Sequence, residues 1–331
     1  MDNKVKNNIF CSFCTDEYSK EELEYLDSSQ EGFWCDSCDG FTYFTQSSNS
    51  HKFTLILEDR SSKETITNKS NIKFSKRLSP YRYPGGKSKI IDYLHTHLEE
   101  SKSNTLASPF TGGGSFELAM LEAGVVDELI INDLDIGVYA LWNLIINEPE
   151  YIIKRLFKKL PTHEDYFAAQ SIIKSNYKDV SSNEAGWASL LVNRLAYSGI
   201  SKANPLGGKS GTQKNLLSRW NPDNLAKRIM KINELKDQIV VKSMDACEFI
   251  EEYYWLNKAT VFIDPPYVNK GKDLYHCYYK EEDHINLSWL LDSLYRGCPG
   301  ADIVVTYDYS EWLENLYEHP EIMKIGRVYS A

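Results

Sequence analysis

The spacing of apolar and polar positions changes character twice along the chain. Residues 41–58 read as short strands, ending in Lys52-Phe-Thr-Leu-Ile-Leu-Glu58, where apolar residues and a β-branched threonine are framed by charges. Residues 59–78 are polar and rich in Ser, Thr and Lys, the composition of a linker. From Ser79 onward strand-like runs at 105–110 and 128–133 alternate with helical runs at 115–123 and 136–146, the rhythm of a parallel, doubly wound α/β domain. Helical segments then interrupt it, with a Gly- and Lys-rich loop at 198–221, before strands resume at 238–242, 259–263, 302–307 and 322–329. This pattern divides the chain into an N-terminal module (1–58), a linker (59–78), the first part of an α/β core (79–150), an insertion (151–237) and the second part of the core (238–331). No internal repeat is visible.

No window of about 18 consecutive apolar residues occurs, which predicts a soluble, cytoplasmic protein without a membrane partner. Over 331 residues, an apolar content of 42% supports one large core or two modest ones and excludes disorder as the main state. The formal charge of −10 excludes a uniformly basic nucleic-acid coat. Two stretches nevertheless lack acids. Between Glu64 and Asp92 lie Lys69, Lys73, Lys76, Arg77, Arg82, Lys87 and Lys89; between Glu184 and Asp223 lie Arg194, Lys202, Lys209, Lys214 and Arg219. A charge run is ordinarily a solvated face, but two such runs in an acidic chain point to phosphate.

Four of the seven cysteines form two knuckles, Cys11-Ser-Phe-Cys14 and Cys35-Asp-Ser-Cys38, separated by twenty residues. That spacing lets four thiolates surround one tetrahedral zinc ion, and four thiolates leave no open position, so the predicted role is structural. Two disulfides are the alternative; the lack of a secretory signal favours zinc.

Three further segments carry candidate chemistry. Pro109-Phe-Thr-Gly-Gly-Gly114-Ser lies between a predicted strand and helix, where glycines permit a tight turn and a close ligand approach. It departs from the dinucleotide fingerprint, since Glu117 stands where that pattern needs a small residue. Asp133 ends the next strand, nineteen positions after Gly114, the place of a carboxylate that accepts from ribose hydroxyls, so a nucleoside cofactor other than NAD is expected. Asp264-Pro265-Pro266-Tyr267 follows the apolar strand Thr-Val-Phe-Ile263, at a strand's C-terminal end. There a carboxylate and a fixed carbonyl can accept both hydrogens of an exocyclic amine, and Tyr267 offers a stacking face to a flipped base. Read alone, these four residues are equally a plain turn with a solvent-facing tyrosine. Tyr83-Pro-Gly-Gly-Lys87 adds an aromatic, a turn and a cation; a surface turn is its alternative.

In this order, with a basic insertion between glycine loop and Asp-Pro-Pro-Tyr, these motifs resemble the DNA adenine methylase family of N6-adenine methyltransferases, over about residues 79–329. The resemblance implies S-adenosylmethionine (AdoMet) as methyl donor, a class I methyltransferase sheet with a helical target-recognition insertion, and duplex DNA as substrate. It implies AdoMet contacts at Tyr83, Lys87, Phe110, Gly112, Gly114, Asp133, Asp245 and Asp264, and a target-adenine clamp at Asp264, Pro265, Pro266 and Tyr267. Asn193-Arg194 and Tyr197-Ser198-Gly199 are similar to segments leading into the family's DNA-reading loop, which implies DNA contacts at Arg194, Tyr197, Lys202, Lys209, Lys214 and Arg219. RNA adenine methylation and a silent binding protein with the same fold are the alternatives. Three departures stand out. Ser108 replaces an acid common before Pro-Phe, which predicts weaker cofactor binding; Ser198 replaces an Asn; and only one strand follows 302–307 where class I sheets have two. The last departure predicts an open sheet edge that a partner protein, or the segment 52–58, would fill; the zinc module is a second partner site.

Overall fold

The computed structural model describes residues 9–10, 17–18, 32–35, 40–43, 51–59, 72–83, 85–268, 277–297 and 299–326, the first four stretches as backbone only. Those four form two short antiparallel pairs, Ile9–Phe10 with Glu17–Tyr18 and Gly32–Cys35 with Gly40–Tyr43. Cys11, Cys14 and Cys38 lie outside the described residues, and Cys35 contributes only backbone. Among the described residues no cluster of three or more His, Cys, Asp or Glu is placed to hold a metal ion. No described helix is long and apolar enough to cross a membrane.

The rest is built on seven strands: β1 (Phe53–Asp59), β2 (Thr105–Ser108), β3 (Glu128–Asn132), β4 (Ile239–Lys242), β5 (Ala259–Ile263), β6 (Asp302–Asp308) and β7 (Glu321–Gly326). They pair in the order β7-β1-β6-β5-β2-β3-β4, and every pairing is parallel. Parallel sheets are covered on both faces, which is why the strands read as near-continuous apolar runs. The pleat splits them between two cores: Phe53, Leu55 and Leu57 pack with Val261, Ile303 and Val305 on one side, while Ile56 packs with Leu106, Phe262 and Val304 on the other.

The helix α1 (Ile91–Ser101), which the pattern does not single out, precedes the first core strands, and α2 (Ser115–Glu122) and α3 (Ile136–Asn147) alternate with them as expected. Then come α4 (Pro149–Lys158), α5 (His163–Lys174), α6 (Ser182–Leu195), the short α7 (Gln213–Leu216) and α8 (Pro222–Asn233), between β3 and β4. The core resumes with α9 (Ala246–Tyr253) and α10 (Glu281–Gly297), and the short α11 (Glu311–Glu314) joins β6 to β7. The inserted helices are not an appendage: α6 packs on α3 and α5, and a Cβ at Gly186 would stand 2.9 Å from the Ala140 backbone.

One expectation changes: residues 53–58, grouped by sequence with the N-terminal module, belong to the main sheet. The place left open beyond β6 is taken by one of the two fillers named for it, the segment 52–58: β1 lies between β6 and β7 with Glu58 opposite Asp308 and Ile325. β6 therefore offers no unpaired edge to a partner protein.

Candidate active site

The C-terminal ends of β2, β3, β4 and β5 converge on one cavity, the ligand-binding side of an open α/β sheet. Its empty volume is about 930 Å³ including the part open to solvent. Tyr83, Lys87, Phe110, Gly114, Asp133, Asp245, Asp264 and Pro266 all line it. Gly112, Pro265 and Tyr267 stand behind the wall.

The glycine loop is shaped by aromatic rings as much as by space for a ligand. Gly112 has φ +49°, and a Cβ there would stand 2.9 Å from the Tyr83 ring; at Gly114, φ +57°, it would stand 3.0 Å from Trp142. Trp142 Nε1 also donates to Gly112 O at 3.1 Å. Asp133 is held by two backbone donors, Gly112 N to Oδ2 and Asp135 N to Oδ1, each at 2.9 Å. Burial, then the charge of Asp135, pushes its carboxyl up to about 7. Asp245 lines the cavity and also caps α9, accepting from Cys247 N at 2.8 Å. The neighbouring Asn132, which sequence reasoning passed over, ties three strand ends together: Nδ2 donates to Pro109 O and Met244 O, each at 3.0 Å, and Oδ1 accepts from Met244 N at 2.9 Å.

Asp264 is the most constrained acid in the wall. Its Oδ1 accepts from Lys87 Nζ at 2.7 Å and from Thr306 Oγ1 at 2.9 Å. Oδ2 has no hydrogen-bond partner among the described residues. Burial raises the Asp264 carboxyl, against the Lys87 charge, which lowers it. Lys87 is itself buried and also contacts Glu58 Oε1 at 3.0 Å. Its ammonium is thus engaged by two carboxylates at the cavity wall. Tyr267 is not solvent-facing: it is 6% exposed, and a Cβ on Gly85, at φ +83°, would stand 2.0 Å from its hydroxyl.

Ser108 does not leave the site without an acid. Its Oγ donates to Glu117 Oε1 at 2.9 Å, and Glu117, one helical turn into α2, lines the cavity. Burial pushes Glu117 up to about 7. The expectation of weaker cofactor binding rested on position 108 alone.

Beside this cavity the two acid-free stretches meet. Asn193 accepts from Arg82 N at 2.7 Å and donates to Arg82 O, which fastens the Tyr83 segment to the end of α6. Arg194 is pushed down to about 10 by burial and then by Arg82, Arg228 and Arg219. None of these four arginines forms an ion pair among the described residues, and buried Arg194 Nε and Arg219 Nη1 have no hydrogen-bond partner there. Lys202 Nζ lies 5.8 Å from the ring of Tyr278, which lines the cavity, while Tyr197, Lys209 and Lys214 are exposed.

Comparison with known proteins agrees with this geometry. Residues 83–331 match the family model of the D12 class N6 adenine-specific DNA methyltransferases. A Type II methyltransferase of Paramecium bursaria Chlorella virus NC1A, M.CviBI, is 24% identical over 247 residues, covering 73% of this chain and 88% of the viral protein.

Proposed function

The chain belongs to the D12 class of N6 adenine-specific DNA methyltransferases, and from that premise we propose that it transfers the AdoMet methyl group to the adenine N6 amine in duplex DNA, in one in-line step on a flipped base. The observation that carries the reading is Asp264, with one oxygen held by Lys87 and Thr306 and the other without a hydrogen-bond partner among the described residues, in the wall of a cavity that also presents the glycine loop and Asp133.

The residues fit AdoMet. Each Asp133 oxygen accepts one backbone N–H and keeps a second lone pair for a ribose hydroxyl. Tyr83, Phe110 and Gly114 would hold the methionine end, and Asp245 the adenine end. Bound there, AdoMet supplies an electrophilic methyl on an excellent leaving group. Asp264 Oδ2 and the Pro265 carbonyl accept the two amine hydrogens and draw the nitrogen lone pair out of conjugation with the ring. Consecutive prolines keep that turn rigid, and positioning of this kind is worth roughly 7–11 kcal/mol of barrier. Tyr278, 38% exposed in the cavity wall, offers a stacking face to the flipped base, and Tyr267, 6% exposed, must be uncovered before it can serve as a second ring. Stacking gives about 1–3 kcal/mol against a few for unpairing, so phosphate contacts must add to it. The arginine group around Arg194, with Lys202, Lys209 and Lys214 on the same insertion, supports that assignment.

The Type II designation of the viral relative supports a place in restriction-modification. We also assign Cys11, Cys14, Cys35 and Cys38 to one structural zinc ion, supported by two antiparallel strand pairs whose intervening or terminal residues carry the two knuckles. Metal analysis of freshly purified protein that returned no zinc would remove that module.

The test of function is incubation with methyl-labelled AdoMet and unmethylated duplex DNA or structured RNA, then identification of the labelled base. N6-methyladenine in DNA is expected. Label confined to RNA or on the cytosine N4 amine would move the substrate, and label on a ring carbon would refute the amine geometry. Asp264→Asn is expected to lose transfer while retaining AdoMet.

A further inference from the structure

Glu58 is the last inward-facing residue of β1, 1% exposed, on the same face as Thr54 and Ile56. It lies outside residues 83–331, the part of the chain shared with the family. An aliphatic residue here would extend the core. Burying an acid instead is costly, and exchanging a buried ion pair for apolar packing is often neutral or stabilising, so stability does not account for it. Its surroundings do. Glu58 Oε1 stands 3.0 Å from Lys87 Nζ, and that ammonium reaches Asp264 Oδ1 at 2.7 Å, so two strand-end acids and the lysine of the turn before α1 form one chain of charges ending at the amine acceptor.

We propose that Glu58 is a positioning residue for methyl transfer: its carboxylate holds the Lys87 ammonium, and Lys87 in turn sets the place of Asp264 for the adenine amine. The proposal rests on the reading of Asp264 as that acceptor. Lys87 shared between two carboxylates draws less on Asp264 than Lys87 held by Asp264 alone, which leaves Asp264 the stronger acceptor. The groups acting on Asp264 are Lys87 from the turn before α1, Glu58 from β1, Thr306 from β6 and Glu117 from α2. Of these, Glu58 raises the Asp264 carboxyl and Lys87 lowers it.

The test compares the full-length wild type with Glu58→Gln, Glu58→Asp and Asp264→Asn. Folding is followed by thermal unfolding, and kcat against pH is measured at saturating AdoMet and DNA. Glu58→Gln keeps the shape and removes the charge, so kcat is expected to fall by about tenfold or more, the cost of a small misplacement. Its acid limb is expected to move to lower pH, because the charge that raised Asp264 is gone. NMR titration of ¹³C-labelled aspartate in the cofactor-free protein should show the same displacement at Asp264. Glu58→Asp keeps the charge and should recover part of the rate with the limb at its wild-type position. A folded Glu58→Gln enzyme with wild-type kcat, or one slowed with its acid limb unmoved, overturns the proposal. Should only Glu58→Asp fold, a wild-type kcat there overturns it; should neither fold, Glu58 is a scaffold residue and the proposal is equally lost. Full activity in Asp264→Asn would instead bring down the acceptor reading itself.

Discussion

Glu117 gives a prediction whose size can be worked out. Its carboxyl is 4% exposed on the first turn of α2, accepts from Ser108 Oγ at 2.9 Å and is pushed by burial from 4.5 to about 7. Between those two values the unfolded chain has released this proton and the folded chain still holds it. The folded state then binds more protons, so stability falls as pH rises through the window. Below 4.5 both states are protonated and the residue contributes nothing; above 7 the full penalty applies. At 1.36 kcal/mol per unit that penalty is about 3 kcal/mol. Glu117→Gln removes the charge and keeps an oxygen for the Ser108 hydroxyl. The variant is therefore expected to match wild type near pH 4.5 and to exceed it by up to about 3 kcal/mol at pH 8. Urea unfolding of both proteins across that range measures the gap. A gap that stays constant with pH would show that Glu117 ionises as an ordinary exposed acid, and the account of the buried Ser108–Glu117 pair would fail with it.

Because Asp133 and Glu117 both stand near 7 and both line the cavity, AdoMet affinity should rise with pH through that value, as ribose hydroxyls and a cationic sulfonium favour the ionised forms. Calorimetry in buffers of different ionisation enthalpy should register proton release, and zero net release would contradict the assignment. Arg194→Ala should weaken DNA binding about equally for all sequences and lower the salt slope by about 1, whereas an unchanged slope would take Arg194 off the phosphate contacts. Asn132→Ala leaves Pro109 O, Met244 O and Met244 N without their partner, at about 1–3 kcal/mol for each buried orphan. A urea-unfolding loss of roughly 3 kcal/mol or more is expected with weaker AdoMet binding, and a loss under about 1 kcal/mol would mean that water replaces the amide.

What could be read from the chain alone was the chemistry of strand ends. Asp133 and Asp264 each follow an apolar run, and the pattern places both at strand ends, while Asp245 comes from the family resemblance; all three line the cavity. Hydrophobic rhythm likewise gave the alternating core and the helices between β3 and β4. It could not give partners across sequence distance. Glu58 also closes an apolar run, and the missing strand makes 52–58 a candidate for the main sheet, but nothing local tells that its carboxylate meets Lys87. Ser108 looked like a lost acid because the compensation comes from Glu117, a helical turn away. Tyr267 looked exposed because an aromatic after two prolines carries no sign of the glycine that its hydroxyl packs against.

The position of β1 has a consequence for how the enzyme comes to be active. Its parallel neighbours are β6 and β7, more than 240 residues further along the chain, so the strand cannot pair until nearly all of the described sequence exists. Until then Phe53-Thr-Leu-Ile-Leu57 is an unpaired, uncharged stretch of high β-propensity, the composition that aggregates most readily; Lys52 before it and Glu58, Asp59 and Arg60 after it are charges of the kind that keep such segments apart. One of those guarding charges is the acid that ends beside Lys87. Docking of β1 removes Glu58 from water, and burial there is tolerable only with the Lys87 ammonium at 3.0 Å. Closure of the sheet and the setting of the Lys87–Asp264 contact are therefore coupled: the ammonium that offsets the burial of Glu58 is the same one that meets Asp264 Oδ1, and a chain in which β1 has not docked lacks the Glu58 half of that bridge.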